Sequence, residues 1–413
     1  MVEDRRVRVG LDRVLRWAAS QDYRGYSKFD TFNSPILRAL VPDLRQLRAV
    51  VTAVWARLPV NPRPWTATEK SRNPKGIALF ALAHLRRYRA IESGAENHLT
   101  EALRLLGWLE ENAARGYRGL CWGYDHDWYG LHFVARRDTP NIVVTGNVAL
   151  AFLEAFAVTG ERRYLEVVQS VVRFLLEDLD GSVDEPGMRN IGYVPGNVWG
   201  VLNINGLAAS ILAATARHTG EDRLFREARR LIAFLVDKQT DAGAWHYAWP
   251  PRTSNVAHDN YHTGNVLDWL LDYRRWTGDD QFMPATLRGL DFFRTHLFED
   301  DGWPRWRSDR KAPADAHGAG QAIVTFSKAA LDIGPAYLED ARRVAGWALD
   351  HLQHRDGWFH YQKGRWWTKR YTLMRWCNAW MALGLASLQL AEQQLAEQQL
   401  TEQQLNEPRW AEA

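Results

Sequence analysis

Cysteine is nearly absent from this chain: Cys121 and Cys377 are the only two in 413 residues. No CxxC pair exists, so a cysteine-rich zinc site is excluded, and two lone thiols build no disulfide framework. Long apolar runs are missing too. No stretch approaches the roughly 18 uncharged apolar residues of a membrane span. The opening run MVEDRRVRVGLDRVLRW is charged throughout and lacks the apolar core of a secretory leader. The expectation is a cytoplasmic chain with no membrane span. No GxSxG elbow, P-loop or GxGxxG occurs, which removes serine hydrolase, NTPase and Rossmann oxidoreductase readings and calls for no cofactor. Excess charge of one sign is also lacking. The net charge of +3 does not mark a nucleic-acid binder. Five Glu against one Arg put −4 on residues 391–413, which leaves +7 on residues 1–390. Such a modestly basic body suits an anionic substrate.

What is abundant is tryptophan, with 20 residues, and internal repetition. Three segments align: from Thr145, from Asn203 and from His262. Each reads as an apolar-periodic helix, a Thr-Gly turn and a second amphipathic helix. The turns are Thr159-Gly160, Thr219-Gly220 and Thr277-Gly278. Glycine there supplies the left-handed residue that ends the first helix. Weaker copies begin at Gly76 and Ala319. A final helix starts near Arg375, and a helix within residues 35–58 is the expected partner for it. Twelve helices in six hairpins are the number that closes an (α/α)6 barrel, so the predicted fold class is all-α, a toroid over residues 1–390. Residues 391–413 form an AEQQL-type tail. Its leucines, Leu390, Leu395, Leu400 and Leu405, spiral around a helix instead of forming a seam. That tail is a solvated extension or an oligomerisation handle.

The second connection of each repeat is longer and aromatic: residues 121–130, 241–251, 301–306 and 356–367. Such loops emerge at one end of a toroid and form the expected binding face. The segment AFLVDKQTDAGAW, residues 233–245, is similar to the QW repeat of squalene cyclases and related α/α toroids, and LQHRDGWF is a looser copy. The resemblance implies the ring. Class II terpene cyclases carry an acidic DxDD, which this chain lacks, so isoprenoid chemistry is not implied.

Two polar corners stand at matching places in adjacent repeats. Asp259, Asn260, Tyr261 and His262 lie at one predicted helix start, and Asp315 and His317 at the next. A helix N-terminus favours anions and depresses a histidine pKa, which leaves a neutral base. The same residues also suit plain helix caps. His258 and His262, spaced i,i+4 with Asp259 between, permit a zinc reading, but no HExxH exists and no metal is predicted. Trp245, Tyr247, Arg305, Trp306, Arg365, Trp366 and Asp125 are the candidate substrate contacts, since aromatic and basic loops suit sugar rings and acidic groups. Single-stranded nucleic acid would fit such loops as well.

The run Asn260-Tyr261-His262 resembles the Asn/His/Tyr sites of α/α-toroid polysaccharide lyases. That resemblance implies Asn260 as carboxylate neutraliser, Tyr261 or His262 as base and His317 as second acid/base, on a uronate-containing glycan, as a lyase or a C5-epimerase. The alternatives are a glycoside hydrolase using Asp259 and Asp315 (with Asp125 or Asp127), a terpenoid-binding toroid, and a non-catalytic glycan scaffold.

Overall fold

The computed structural model describes residues 2–91, 95–130, 132–182, 185–254 and 256–406. Six long helices form the inner layer: α4 (Pro74–Arg89), α6 (Ile142–Thr159), α8 (Asn203–Thr219), α10 (Asn260–Thr277) and α12 (Ala316–Asp332), each with most of its residues buried, and α14 (Trp380–Asn406), buried over residues 380–391. Each packs against the next, and α14 returns to α4, so the ring closes. Six outer helices cover them. They are α1 (Val2–Ser20), α5 (Glu96–Glu111), α7 (Arg162–Arg173), α9 (Asp222–Asp237), α11 (Met283–His296) and α13 (Ala336–His351). Each pairs with one inner helix, α1 with α14. The chain is an (α/α)6 toroid.

The repeated residues explain the ring. Gly160, Gly220 and Gly278 cap α6, α8 and α10 with φ of 69°, 76° and 71°. A side chain is strained there, which is why glycine recurs. The preceding threonines return their hydroxyls to the carbonyls of Ala155, Thr215 and Tyr273. Gly320 serves a different purpose. An added Cβ would sit 2.6 Å from the backbone of Trp380, so only glycine lets α12 approach α14 so closely. The QW-like joint works as the sequence suggests at backbone level. Gln239 Nε2 donates to the carbonyls of Gly243 and Ala285, both at 2.9 Å, tying one repeat to the next outer helix. Gln353 does the same to Gly357 and Gly10.

One expectation about the ring is corrected. Residues 35–58 do not pair with the last helix; α1 does, through buried Leu11, Val14, Leu15 and Ala18. Residues 35–58 instead form two short helices, α2 (Pro35–Leu40) and α3 (Arg45–Arg57), beside the strand Trp128–Tyr129. The helical period was present, but the face that points inward is polar. Arg48 is buried and donates to Tyr129 Oη and to the carbonyls of Val41 and Pro42.

One apolar run is also longer than expected. Helix α6 is long and apolar enough to cross a membrane by length and composition, with Glu154 as its only charge. It is an inner helix, buried between α4 and α8, which explains its apolar character. Helix α14 continues without a break into the AEQQL repeat as far as Asn406.

Candidate functional site

All six inner helices begin at the end where the long aromatic loops emerge, and the Thr-Gly turns mark the other end. The site is built at those six helix starts, where unpaired backbone N–H groups and the helix dipoles make the environment electropositive.

Asp259 caps α10. Its Oδ1 accepts the N–H of His262 at 2.8 Å, and its Oδ2 lies 2.7 Å from His262 Nδ1. One carboxylate thus ends the helix and clamps the imidazole, and this leaves Nε2 for a substrate. Asp259 is buried, while the His262 side chain keeps 22% of its surface exposed. The rings of Tyr247 and Tyr261 stand 4.5 and 4.3 Å from that imidazole. Burial, with Asp259 adding to it, pushes the Tyr261 hydroxyl well above its ordinary pKa, so it stays protonated.

Asp315 caps α12 in the matching place. Its Oδ1 accepts the N–H of His317 at 2.9 Å and Trp376 Nε1 at 2.8 Å; its Oδ2 accepts Gln362 Nε2 at 2.9 Å. A three-stranded ladder makes that last bond, because Ala314–Asp315 pairs with Gln362–Lys363, which pairs with Thr368–Lys369. Burial raises the Asp315 pKa, opposed mainly by Lys28. His317 is sandwiched between Tyr261 at 4.5 Å and Trp380 at 4.6 Å, with Trp376 edge-on. Neither ring nitrogen has a hydrogen-bond partner. Burial holds its pKa well below the ordinary value, with Lys75, Arg375 and Lys28 adding to that, so the ring is neutral.

Three residues that sequence reasoning passed over complete this floor. Lys28, Lys75 and Arg375 are all buried, and among the described residues none forms an ion pair with a carboxylate. The Lys28 ammonium sits 3.7 Å above the Trp376 ring, and Lys75 sits 5.1 Å from that of Trp380. A π-helical turn, Met374–Ala379, opens the sixth inner helix and carries both Arg375 and Trp376. Lys75 occupies the first turn of α4 and was readable as a helix-start residue. Lys28 lies in a loop with no counterpart in the repeats, so periodicity carried no signal for it.

Next to this floor is a cavity of about 750 Å³ lined by Lys28, Trp306, Tyr361, Gln362, Trp367 and Lys369 on the barrel side. Ala53, Ala56 and Arg57 of α3 line the other side. Trp306, a candidate substrate contact, lines this cavity. Tyr247 lies beside His262 and not in this cavity.

Other candidates are placed elsewhere, each for a physical reason. Trp245 is 3% exposed and donates Nε1 to the Leu235 carbonyl, packed on Gly289 inside the QW-like joint. Trp366 points into solvent at 83% exposure, with Arg365 stacked on it at 4.8 Å; its neighbour Trp367 takes the cavity position. Arg305 is held by Glu299 at 2.6 Å. Asn260 is buried and donates its Nδ2 to the Leu297 carbonyl at 3.2 Å, so that amide hydrogen is already engaged within the protein. Asp125 is a buried anchor whose oxygens take bonds from Ser27, Ser71, Asn73 and His126. Asp127 is occupied by Arg136 and the Arg137 N–H. His258 precedes α10, so it shares no helix face with His262; its ring packs on His246 and Phe292. Among the described residues no group of three His, Cys, Asp or Glu is placed to hold a metal ion.

No family model matches the chain, and no curated protein sequence does. Solved structures do match in fold. A cellobiose 2-epimerase from Bacillus thermoamylovorans superposes with a TM-score of 0.60 at 13% identity, over 76% of this chain and 87% of its own. A family 76 glycoside hydrolase (mannosidase) from Bacteroides thetaiotaomicron gives 0.63 at 11% identity, over 96% and 100%. An unsaturated glucuronyl hydrolase specific for heparin gives 0.61 at 11% identity, over 96% and 98%. These likenesses establish the shared toroid, whereas the likeness to squalene cyclases extends no further than the QW-like joint.

Proposed function

We propose that this chain is a carbohydrate-active enzyme that moves a proton at a sugar carbon bearing a carboxylate, as a uronate C5-epimerase or lyase. The observation that carries this reading is the pairing of an Asp-clamped imidazole with three buried basic side chains that have no carboxylate partner among the described residues, burial holding the two lysines below their ordinary pKa. A buried cation without a counter-ion is unfavourable, and an anionic substrate supplies what is missing. In this scheme His262 Nε2 takes the C5 proton. The C–H electron pair moves into the carboxylate, and Lys28, Lys75 and Arg375 stabilise the added charge. In the epimerase, Tyr261 returns a proton to the opposite face of C5; in the lyase, the pair forms the C4–C5 double bond, the C4–O4 bond breaks, and Tyr261 protonates the departing oxygen. His317, neutral and stacked on Tyr261, positions that donor. The named activities of the similar folds, an epimerase and two hydrolases, fit a sugar substrate in general. A cytoplasmic role in making or trimming such a glycan goes with this reading.

A second reading is a glycoside hydrolase with Asp259 and Asp315 as the carboxylate pair. One observation favours it: burial raises the Asp315 pKa, as a general acid requires. Against it, both carboxylates are already engaged as helix caps, Asp315 accepting three donors and Asp259 holding the His262 N–H and imidazole.

The test is incubation of acidic oligosaccharides in deuterated water. Deuterium at C5 without chain cleavage marks an epimerase, and a new ultraviolet-absorbing unsaturated end marks a lyase. Either should vanish in His262→Ala. If reducing ends appear instead, and survive His262→Ala but not Asp315→Asn, the hydrolase reading replaces this one.

A further inference from the structure

Helix α3 is amphipathic in the wrong sense for a soluble protein. Arg48 and Thr52 face inward, while Leu47, Val50 and Val54 face solvent. Positions 47, 50 and 54 share one face at 100° per residue. Leu40 and Leu44 continue that surface with 73% and 62% exposure, and Trp65 follows at 72%. Among the described residues sixteen large apolar side chains are exposed, and eight of them fall between residues 36 and 65. Chance scatter does not concentrate them so, and patches of this kind mark interaction surfaces.

The charge around the patch is predominantly positive. Residues 35–72 contain seven Arg or Lys against Asp43 and Glu69. Arg45 and Lys70 are exposed and make no ion pair among the described residues. Arg57 stands at the border of the patch and the cavity. Ala53, Ala56 and Arg57 line the cavity one face round the helix from Val50 and Val54. Exposed Trp366, with Arg365 stacked on it, rises at the same mouth beside Trp367.

An apolar helix face rimmed by unpaired cations and interfacial tryptophans is the chemistry that enters the headgroup layer of an anionic bilayer. A second copy of this chain would bring the same positive rim against itself, so charge complementarity selects the lipid. We propose that α2, α3 and Trp65 form a docking surface for anionic membrane, with the barrel mouth turned toward the headgroups. The helices lie on the surface and do not span it. The inference stands apart from the reaction proposed above, since no catalytic group takes part in it.

The experiment is flotation of the full chain with vesicles of phosphatidylcholine alone and of phosphatidylcholine with phosphatidylglycerol. The protein should float with the anionic vesicles, weakly or not at all with the neutral ones, and added salt should release it. The combined variant Leu40→Ser, Leu44→Ser, Val50→Ser, Val54→Ser should lose this binding. Arg45→Gln and Lys70→Gln should each weaken partitioning about fivefold, the effect of one basic residue near a charged surface. Circular dichroism and thermal melting should be unchanged in all of them, because every position is exposed. No flotation of the wild type overturns the proposal, as does equal flotation of folded variants. So does sedimentation showing a wild-type dimer that the serine variant converts to monomer, in which case a second copy covers the face.

Discussion

Lys28 offers the sharpest quantitative test. Its side chain is 8% exposed, its ammonium faces Trp376, Phe29 and Trp306, and no carboxylate lies within ion-pair reach. Burial lowers its pKa to about 8, partly opposed by Asp315, from an ordinary value of 10.5. Each unit of such a shift is worth about 1.4 kcal/mol, so holding the charge at pH 7 costs the fold roughly 3 kcal/mol. The unfolded chain keeps its proton up to the ordinary value, and the folded chain releases it near 8. Between those two values the unfolded state binds more protons, so wild-type stability must rise with pH across that window and be lowest below it. Lys28→Met keeps the aliphatic stem and removes the charge. Denaturant unfolding of the variant should show a gain of up to about 3 kcal/mol at pH 7. Its stability should then climb less steeply than the wild type's, the remaining slope coming from Lys75 and Lys369, whose pKa values burial also lowers. Affinity for acidic oligosaccharides should fall at the same time, because the discarded charge is the one an anion would meet. A Met variant that is less stable at pH 7 and retains the wild-type slope would refute the argument that this ammonium is an uncompensated charge.

Three further outcomes follow from the geometry. Gly320→Ala should destabilise the ring by about 1–3 kcal/mol, since its Cβ would meet the Trp380 backbone at 2.6 Å; thermal unfolding reads this directly. His317→Phe keeps a ring between Tyr261 and Trp380. The wild-type imidazole is held neutral, so its contribution is present above the ordinary histidine value and lost as pH falls below it. The variant's acid limb in a stability-against-pH curve should be shallower. In the same variant kcat should fall more than KM changes if His317 positions Tyr261. Trp245→Ala should lower stability by about 3–5 kcal/mol with little change in KM; a raised KM at unchanged stability would return Trp245 to the substrate surface.

The repeats were legible because helical packing is local and periodic. Thr-Gly turns, helix starts and the QW-like joint each depend on residues a few positions apart, and the sequence alone determined the all-α ring and the end at which the aromatic loops emerge. The two corners were legible for the same reason, since Asp259 and Asp315 cap their helices within three residues. Only the closed ring decided which side chains share a floor. Lys75, His317 and Trp376 stand at three separate helix starts and Lys28 in a loop outside the repeats, and only closure of the ring brings them together. Closure also separated Trp245 from Trp306, two tryptophans in equivalent loops, one packed under a joint and the other lining the cavity. The direction of α3 was a tertiary matter as well. Its period shows two faces, but only the buried bond from Arg48 to Tyr129 turns the polar one inward and leaves the apolar one outside.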